Sequence, residues 1–399
     1  MLQRLIASKL KPASPLRLAL YCAPLLDEMT IGFLAIGLPL ASRQLKLDYT
    51  QVGLLFTIGA LASMLLDPLI SLLSDRHSKR YWILGGSLFL GAAFAFVANI
   101  HAFALLACAF VLIYLATTAV ALSQALLIDQ SPQESSHTMT RWTLMASIGD
   151  LLGPIIVSLI IVWSSGWSIL CWIACIAWLT MACIIGFQRF PRTVHNTEGV
   201  HDSEEAHAPP VRLLDGLREA LHDARLLRWT ILSLIPSMLD EVFIVYATFY
   251  LRDVISVNTS VIGVLLALHM IGGFLGLFLL DRVLLQRMTP ERLLICLALL
   301  VIVGMIGFLT LRSTVWAGVM LFLIGLGVAG LYPIATAEAY KQFPGRSGTV
   351  LAVMSLGAPF EVALPYVTGF VASRFGVVAS LCLLGTAPLL ILMLKPYKK

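Results

Sequence analysis

The chain has few charged residues for its length. Charged residues make up 12% and apolar residues 59% of its 399 residues, and the mean hydropathy is +0.91. Soluble globular chains carry about 25% charged and 45–50% apolar residues, so this composition excludes a soluble protein and predicts an integral membrane protein. The net charge of +5 does not indicate a nucleic-acid partner. The basic residues are confined to the segments between apolar runs, where membrane orientation explains them.

Several chemical signatures are also missing. The sequence has no Gly-x-x-x-x-Gly-Lys-Ser/Thr loop, which excludes ATP-driven transport by this chain alone. The seven cysteines lie in apolar runs without a Cys-x-x-Cys pair, so we expect reduced packing residues and neither disulfides nor a metal site. No nucleophile, metal-ligand set or adjacent His/Asp arrangement occurs at a common depth. We therefore expect no enzyme activity and no cofactor.

Long apolar runs bounded by charges or turn residues predict twelve membrane spans, since a span needs about 20 apolar residues. The runs cover residues 18–41, 51–73, 81–100, 102–127, 142–163, 167–187, 229–251, 260–280, 293–311, 315–338, 347–372 and 376–394. A single long polar segment divides them into six and six. The predicted fold is an all-α membrane protein with twelve transmembrane helices in two pseudo-symmetric six-helix bundles.

The polar segment sets the domain boundaries. We expect an N-terminal bundle over 1–187, a cytoplasmic linker over 188–228 and a C-terminal bundle over 229–399. The second part of the linker, residues 211–228, has Leu214, Leu217 and Leu221 on one helical face. This pattern predicts an amphipathic helix on the membrane surface.

The distribution of basic residues predicts the orientation. If both termini are cytoplasmic, 22 of the 27 lysines and arginines fall on the cytoplasmic side. The opposite orientation would break the positive-inside rule. We therefore expect a multi-pass protein of the cell (inner) membrane with both termini inside. The run from 18 to 41 is too long for a cleaved signal sequence, so the first helix is expected to remain.

The two halves share polar landmarks. The tripeptide Leu26-Asp27-Glu28 recurs as Leu239-Asp240-Glu241, at an offset of 213 residues. Three further pairs recur at offsets of 206 to 211 residues: Asp75-Arg76 with Asp281-Arg282, Asp129 with Glu338, and Asp150-x-x-x-Pro154 with Glu361-x-x-x-Pro365. A nearly constant offset predicts two parallel six-helix repeats, related by an axis along the membrane normal.

These residues resemble the major facilitator superfamily, over nearly the whole chain. The family's loop between spans 2 and 3 follows Gly-x-x-x-Asp-Arg-x-Gly-Arg-Arg/Lys, and residues 71–80 read SLLSDRHSKR, with both glycines replaced by serine. Residues 149–154 read GDLLGP, similar to the Gly-x-x-x-Gly-Pro motif of the family's antiporters, without the glycines that usually follow. Residues 344–349, PGRSGT, resemble a loop of bacterial drug-resistance exporters.

The resemblance implies a fold, a function and a gate. It implies a transporter of the bacterial drug- or metabolite-efflux type that works by alternating access, most simply as a monomer. The Asp-Arg motifs imply a gating role for Asp75, Arg76, Lys79, Arg80, Asp281 and Arg282. The physical alternative is a solvated loop that only fixes topology. A carboxylate at a helix end can bind the N-terminus of a neighbouring helix or an arginine, and so act as a latch.

The predicted spans contain acids but no lysine or arginine. Besides Glu338, which ends the tenth span, the acids are Asp27, Glu28, Asp67, Asp150, Asp240, Glu241 and Glu361, and the only internal base is His269. An ionisable residue inside a membrane indicates a functional site by default. The residues expected to couple protons or contact substrate are Asp27, Glu28, Asp240, Glu241, Asp150, Glu361 and Gln124. The alternative for each acid is a hydrogen-bonded carboxylic acid that joins helices, and for His269 a packing role.

The function expected from the sequence is secondary active transport of a small organic solute. Unpaired acids favour proton coupling and a neutral or cationic solute, and the exporter-like motifs favour efflux. A proton-coupled nutrient importer and a non-transporting membrane sensor remain alternatives. The expected partners are a small-molecule substrate, protons and the lipid bilayer.

Overall fold

The protein is described by a computed structural model. The structure describes residues 15–34, 49–75, 78–100, 102–163, 167–188, 213–239 and 241–394. These residues form helices joined by short turns, and no strand occurs among them. The expected all-α class is therefore confirmed.

The first half of the chain forms long helices that follow the apolar runs closely. They are α1 (Pro15–Gly32), α2 (Tyr49–Ser74), α3 (Lys79–Val97), α4 (Phe103–Gln130), α5 (Ser135–Trp163) and α6 (Trp167–Phe187). A 3₁₀ turn, Pro132–Glu134, separates α4 from α5.

The second half forms shorter helices. They are α7 (Leu213–His222), α8 (Ala224–Leu234), α9 (Glu241–Asp253), α10 (Thr259–Leu279), α11 (Leu285–Arg287), α12 (Pro290–Thr310), α13 (Thr314–Val328), α14 (Leu331–Gln342), α15 (Ser347–Ser355), α16 (Ala358–Phe375), α17 (Val377–Leu384) and α18 (Thr386–Leu394). A 3₁₀ turn, Ile235–Leu239, leads towards α9, and a π-helical turn, Leu280–Leu284, joins α10 to α11.

Ten stretches of the described residues are long and apolar enough to cross a membrane. They coincide with ten of the twelve predicted spans. The other two predicted spans, 18–41 and 142–163, lie over α1 and α5. Helix α1 has three charged side chains, Arg17, Asp27 and Glu28, among its 18 residues, and residues 35–41 lie outside the described part of the chain. The count of twelve therefore stays a prediction.

Four of the predicted spans are interrupted helices. The interruptions separate α8 from α9, α13 from α14, α15 from α16 and α17 from α18. A proline or glycine stands at each one: Pro236, Gly330, Gly357 and Gly385. Proline lacks the backbone N–H that a helix needs, and glycine is a poor helix former. Hydropathy therefore located these spans correctly but did not reveal that the helices are broken.

The linker helix is confirmed as a helix, and it ends earlier than predicted. Helix α7 stops at His222 because Asp223 begins a new helix. The Asp223 carboxylate accepts hydrogen bonds from the backbone N–H groups of Arg225, at 2.7 Å, and Leu226, at 2.9 Å. This is an N-cap, so the helix that contains the seventh predicted span begins at Ala224, five residues before that span. Within residues 216–222 of α7, the part whose side chains the structure describes, Gly216 and Ala220 are buried and Leu221 is exposed.

The chain divides into two compact units. The first contains Met1–Leu127 and Met145–Arg218, and the second contains Ile128–Leu144 and Glu219–Lys399. Residues 128–144, which include the start of α5, thus belong with the second unit.

Small residues allow close helix packing inside each unit. In the first unit, a Cβ added to Gly86 on α3 would lie 2.2 Å from the Ala119 Cβ on α4. In the second, a Cβ on Gly325 of α13 would lie 2.0 Å from the His269 carbonyl oxygen on α10. Membrane helices associate through such small-residue contacts because lipid provides no hydrophobic driving force between them.

Candidate functional site

The first acidic pair lies where α1 packs tightly on α5. A Cβ on Gly149 of α5 would lie 2.3 Å from the Leu25 carbonyl oxygen and 3.0 Å from the Glu28 Cβ. One turn on, a Cβ on Gly153 would lie 3.0 Å from the Met29 carbonyl oxygen. Only glycine fits at position 149 without a shift of the backbone, and at position 153 a side chain would press on the backbone of α1. The sequence G-D-L-L-G therefore brings the backbone of α1 onto α5 at the depth of Asp27 and Glu28.

This contact brings two acids of the first unit together. Asp150 follows Gly149 directly, and its carboxylate is close enough to Asp27 for the two charges to repel. The Asp27 Oδ1 atom is buried and has no hydrogen-bond partner in the described part of the chain. Asp150 is exposed on the molecular surface, whereas Asp27 and Glu28 are half-buried. The sequence predicted each acid, but not that Asp27 and Asp150 are neighbours.

Two further residues fix the turn of α1 that carries Asp27. The Thr30 hydroxyl donates to the Asp27 carbonyl oxygen at 3.1 Å and accepts a bond from the Trp178 indole N–H on α6 at 3.3 Å. Trp178 is fully buried. No sequence pattern indicates this contact, because Thr30 and Trp178 are 148 residues apart.

The corresponding helices of the second unit also pack together. A Cβ on Gly357, just before α16, would lie 2.3 Å from the Leu234 side chain at the end of α8. A Cβ on Gly369 of α16 would lie 3.2 Å from the Tyr246 hydroxyl on α9. Two of the helix interruptions therefore meet, at Leu234 and Gly357.

In the second unit, two of the predicted coupling acids, Glu241 and Glu361, lie at the starts of helices. Glu241 is the first residue of α9, and Glu361 lies in the first turn of α16 and is exposed. Asp240 and the side chain of Glu241 lie outside the described part of the structure. In the first unit, by contrast, Asp27 and Asp150 lie within α1 and α5. A helix N-terminus stabilises a negative charge through its dipole and its free N–H groups.

Gln124, the predicted polar residue of α4, is buried. It is 3% exposed, and its Nε2 atom has no hydrogen-bond partner among the described residues. A buried amide nitrogen without an acceptor is costly. Gln124 therefore offers a free donor inside the first unit.

Asp67 and His269 make bonds of their own. Asp67 on α2 accepts hydrogen bonds from Ser63 and Thr118. The His269 Nδ1 lies 3.1 Å from the Leu321 carbonyl oxygen on α13, and the ring packs against Phe243. The arrangement of His269 fits the packing role better than a proton relay.

Asp281 lies in a cluster at the end of the helices predicted to be cytoplasmic. Its two carboxylate oxygens each accept a bond from Arg141 Nε at 3.0 Å, and His137 Nδ1 lies 2.8 Å from Oδ1. All three residues belong to the second unit. We call them the Asp281 cluster. Sequence reasoning missed His137 and Arg141, although both lie near the basic edge of the fifth predicted span.

The other predicted gating residues have varied surroundings. In the first unit, Lys79 Nζ lies 3.5 Å from Asp75, and Arg80 donates to the Gly186 carbonyl at the end of α6 at 2.7 Å. In the second, the Arg282 guanidinium lies 5.8 Å from the centre of the Phe278 ring. Arg76 lies outside the described residues.

Two further helix ends of the second unit are bridged. The Ser347 hydroxyl at the start of α15 donates to the Asp129 carboxylate at the end of α4, at 2.7 Å. Lys341 on α14 pairs with Glu338 and lies 3.5 Å from the Ser136 hydroxyl. Asp129 and Glu338 are the acids that the repeat pattern had paired.

The family model of the Major Facilitator Superfamily matches residues 20–364. This chain belongs to the Major Facilitator Superfamily. It is a multi-pass membrane protein, and the superfamily consists of secondary transporters that bind small molecules, often together with protons. No curated protein matches the chain significantly in sequence.

Solved structures of the superfamily share the fold. A variant of the E. coli fucose:proton symporter FucP is similar with a TM-score of 0.76 at 16% identity, covering 95% of this chain and 98% of that one. The human organic anion transporter MFSD10 (TETRAN) gives 0.74 at 18%, covering 97% and 100%. A bacterial homologue of the iron transporter ferroportin, in an outward-facing state, gives 0.67 at 16%, covering 95% and 99%. At these identities the likeness shows the fold alone.

Proposed function

We propose that this superfamily member is a proton-coupled exporter of a small neutral or cationic organic solute. The observation that carries the proposal is the neighbouring pair of acids, Asp27 and Asp150, at the contact of α1 with α5 in the first unit. One oxygen of Asp27 is buried without a hydrogen-bond partner in the described residues. The superfamily assignment supports transport as the function, and the two acids support the proton as the coupling ion.

The physical argument concerns two charges in a poor solvent. Two carboxylates near each other in a low-dielectric region repel strongly, since Coulomb energy rises as the effective dielectric constant falls. A proton on either acid removes the repulsion, and so does a cationic solute. Release of that proton requires access to water. A transporter that alternates access supplies water to each side in turn, and thereby links the proton to the solute.

The charge of the predicted spans supports the solute class. Apart from Glu338 at the edge of the tenth span, they contain seven acids, and they contain no lysine or arginine. An anionic solute at this depth would meet negative charge without a basic partner, and this disfavours anions. The buried amide nitrogen of Gln124 can donate a hydrogen bond to a polar group of the solute.

We further propose the membrane setting. The protein resides in the cell (inner) membrane as a monomer. Both termini are cytoplasmic, because that orientation obeys the positive-inside rule. The cytoplasmic ends then carry the Asp281 cluster and the Asp75–Lys79 pair, which form and break as access alternates. The GDLLGP segment of α5 supports export over import.

Transport by reconstituted protein tests this proposal. Proteoliposomes containing a pH-sensitive dye are exposed to a panel of neutral, cationic and anionic solutes under an imposed pH gradient. The expected result is a solute-dependent proton flux that opposes the solute flux. Proton and solute moving together would establish an importer-type symporter and contradict export.

Variants connect the flux to the acids. Asp27→Asn and Asp150→Asn should each lower gradient-driven flux at least tenfold but retain solute exchange without a gradient, because exchange needs no net proton movement. Asp253→Asn is the matched control, since Asp253 pairs with Arg252 on the surface. Full pH-driven flux in both the Asp27 and Asp150 variants would contradict the proposal that these acids couple protons to transport.

A further inference from the structure

Helix α1 is irregular on both sides of the turn that carries Asp27. Pro24 lies inside the helix, three residues before Asp27, and lacks the N–H group that would bond the Leu20 carbonyl oxygen. After the turn, Phe33 and Leu34 are wound as a π-helix. Helices bend at prolines and at π-helical turns. The backbone bonds of α1 therefore do not by themselves fix the rotation of Asp27 about the helix axis.

A chain of two hydrogen bonds reaches this turn from α6. The Trp178 indole N–H donates to the Thr30 hydroxyl at 3.3 Å, and that hydroxyl donates to the Asp27 backbone carbonyl oxygen at 3.1 Å. Trp178 is 1% and Thr30 2% exposed, so both bonds are shielded from water. A buried donor that loses its acceptor is costly. The turn from Asp27 to Thr30 is therefore tied to the position of Trp178.

Helix α6 is itself held by α3. A Cβ added to Gly91 of α3 would lie 2.8 Å from the Leu179 side chain and 3.4 Å from the Cys175 carbonyl oxygen. Arg80, at the start of α3, donates to the Gly186 carbonyl oxygen at the end of α6 at 2.7 Å. The two helices are thus in close contact at two places, and α6 is a firm support for the irregular helix α1.

The glycines of α5 also hold α1, through its backbone at Leu25 and Met29. Such backbone contact sets the distance between the helices but supplies no directional bond to the turn of Asp27. A small rotation of that turn would move the Asp27 carboxylate relative to Asp150, whose charge acts on it. The bond from α6 is therefore placed to set the charge interaction between the two acids.

We propose that Thr30 and Trp178 are positioning residues, which hold the Asp27 carboxylate in its orientation towards Asp150 and so set how readily the pair takes up a proton. The inference rests on the proposed coupling role of the two acids and deepens it. Helix α6 has no charged residue of its own, yet it controls an acid of its neighbour. The Trp178–Thr30 bond is longer than the common range of about 2.7–3.2 Å, so a small movement of α1 against α6 breaks it and releases the turn.

Labelling of Asp27 with a hydrophobic carbodiimide tests the proposal in the purified full-length protein. The reagent reacts with protonated carboxyl groups in apolar surroundings, and mass spectrometry of the digested protein gives the labelled fraction at each pH. Thr30→Val keeps the shape and removes the hydroxyl, while Trp178→Phe keeps an aromatic ring and removes the N–H group. Each should move the midpoint pH of Asp27 labelling by about half a unit or more. The double variant should move it no further, because both substitutions break the same chain of bonds.

Three controls accompany these variants. Thr180, two residues after Trp178 on α6, is exposed and donates to the Ile176 carbonyl oxygen at 2.7 Å, so Thr180→Val should label like the unaltered protein. Thr30→Ser restores a hydroxyl and should recover most of the original profile. Asp67 is the internal reference in every digest, because its hydrogen bonds come from α2 and α4.

An unchanged midpoint in both Thr30→Val and Trp178→Phe would overturn the proposal, as would an equal shift in Thr180→Val or the absence of pH-dependent labelling at Asp27. A lower melting temperature with an unchanged labelling profile would make the bonds structural only. If Thr30→Val does not fold, Trp178→Phe decides, since it retains most of the buried ring. Labelling needs no transport. A lack of proton-driven flux in the unaltered protein would therefore contradict the export proposal and leave the positioning result to stand on its own.

Discussion

The side chains of Arg141 and Asp281 form a forked pair across 140 residues of sequence, with Arg141 Nε 3.0 Å from each carboxylate oxygen. Asp281 is almost buried, at 9% side-chain exposure, whereas Arg141 is 47% exposed. His137 adds a third contact to the same carboxylate. The pair fastens the start of α5 to the π-helical turn after α10, inside the second unit.

We predict that Asp281→Asn and Arg141→Gln each destabilise the protein through one shared interaction. A hydrogen-bonded charge pair of this exposure contributes about 1–2 kcal/mol. In a double-mutant cycle of thermal unfolding, the two substitutions should therefore cost less together than the sum of the single ones. Arg282→Gln is the control, since Arg282 faces the Phe278 ring. Strict additivity of the two substitutions would contradict the pair.

A second prediction concerns the contact of α1 with α5. Gly149→Ala should destabilise the first unit by about 1–3 kcal/mol, because its Cβ would meet backbone at 2.3 Å and helices must shift to admit it. Transport should fall with it, since the shift moves Asp150 away from Asp27. The measurements are thermal unfolding and gradient-driven flux.

Gly85 on α3 supplies the comparison for Gly149. A Cβ there would meet nothing within 4 Å, so Gly85→Ala should be neutral or slightly stabilising, as alanine is the better helix former. Similar losses in the two variants would mean that the cost arises from replacing any helical glycine and not from the packing of α1 on α5.

A third prediction concerns the N-cap that separates α7 from α8. Asp223→Ala removes the acceptor for the Arg225 and Leu226 N–H groups and should cost about 1 kcal/mol. Hydrogen exchange at these two amides should accelerate roughly fivefold or more if the helix start opens locally. Asp223→Ser, which restores a capping oxygen, should exchange nearly as slowly as the original. Unchanged exchange in the alanine variant would show that the cap does not hold the helix start.

Most of the fold followed from hydrophobicity. Apolar runs located the spans because a helix must satisfy its backbone within the membrane by itself. The interruptions at Pro236 and Gly357 were not predicted, because a window of about 20 residues averages over a single helix-breaking residue. The helix start at Ala224, ahead of the seventh span, was not predicted for a similar reason: hydropathy cannot distinguish a capping aspartate from any other polar residue of the linker.

The candidate site was only partly accessible from the sequence. The acids could be identified from the sequence because charged residues are rare within long apolar runs. Their partners were not, since Thr118, Arg141 and Trp178 are ordinary residues whose roles arise from contacts 51, 140 and 148 residues away along the chain. The assignment of Asp27, Asp150 and the gating residues to transport steps stays a prediction until flux is measured.

The meeting of two helix interruptions at Leu234 and Gly357 has a consequence for hydration. Each interruption leaves backbone carbonyl and N–H groups outside the regular helical ladder. Inside a membrane such groups persist only where protein or a water-filled space satisfies them. The second unit therefore has a stretch of main chain that can exchange bonds with water or solute without unwinding a complete helix. In the first unit, α1 and α5 run unbroken past their acids. There, side chains must supply the groups that exchange bonds with water or solute.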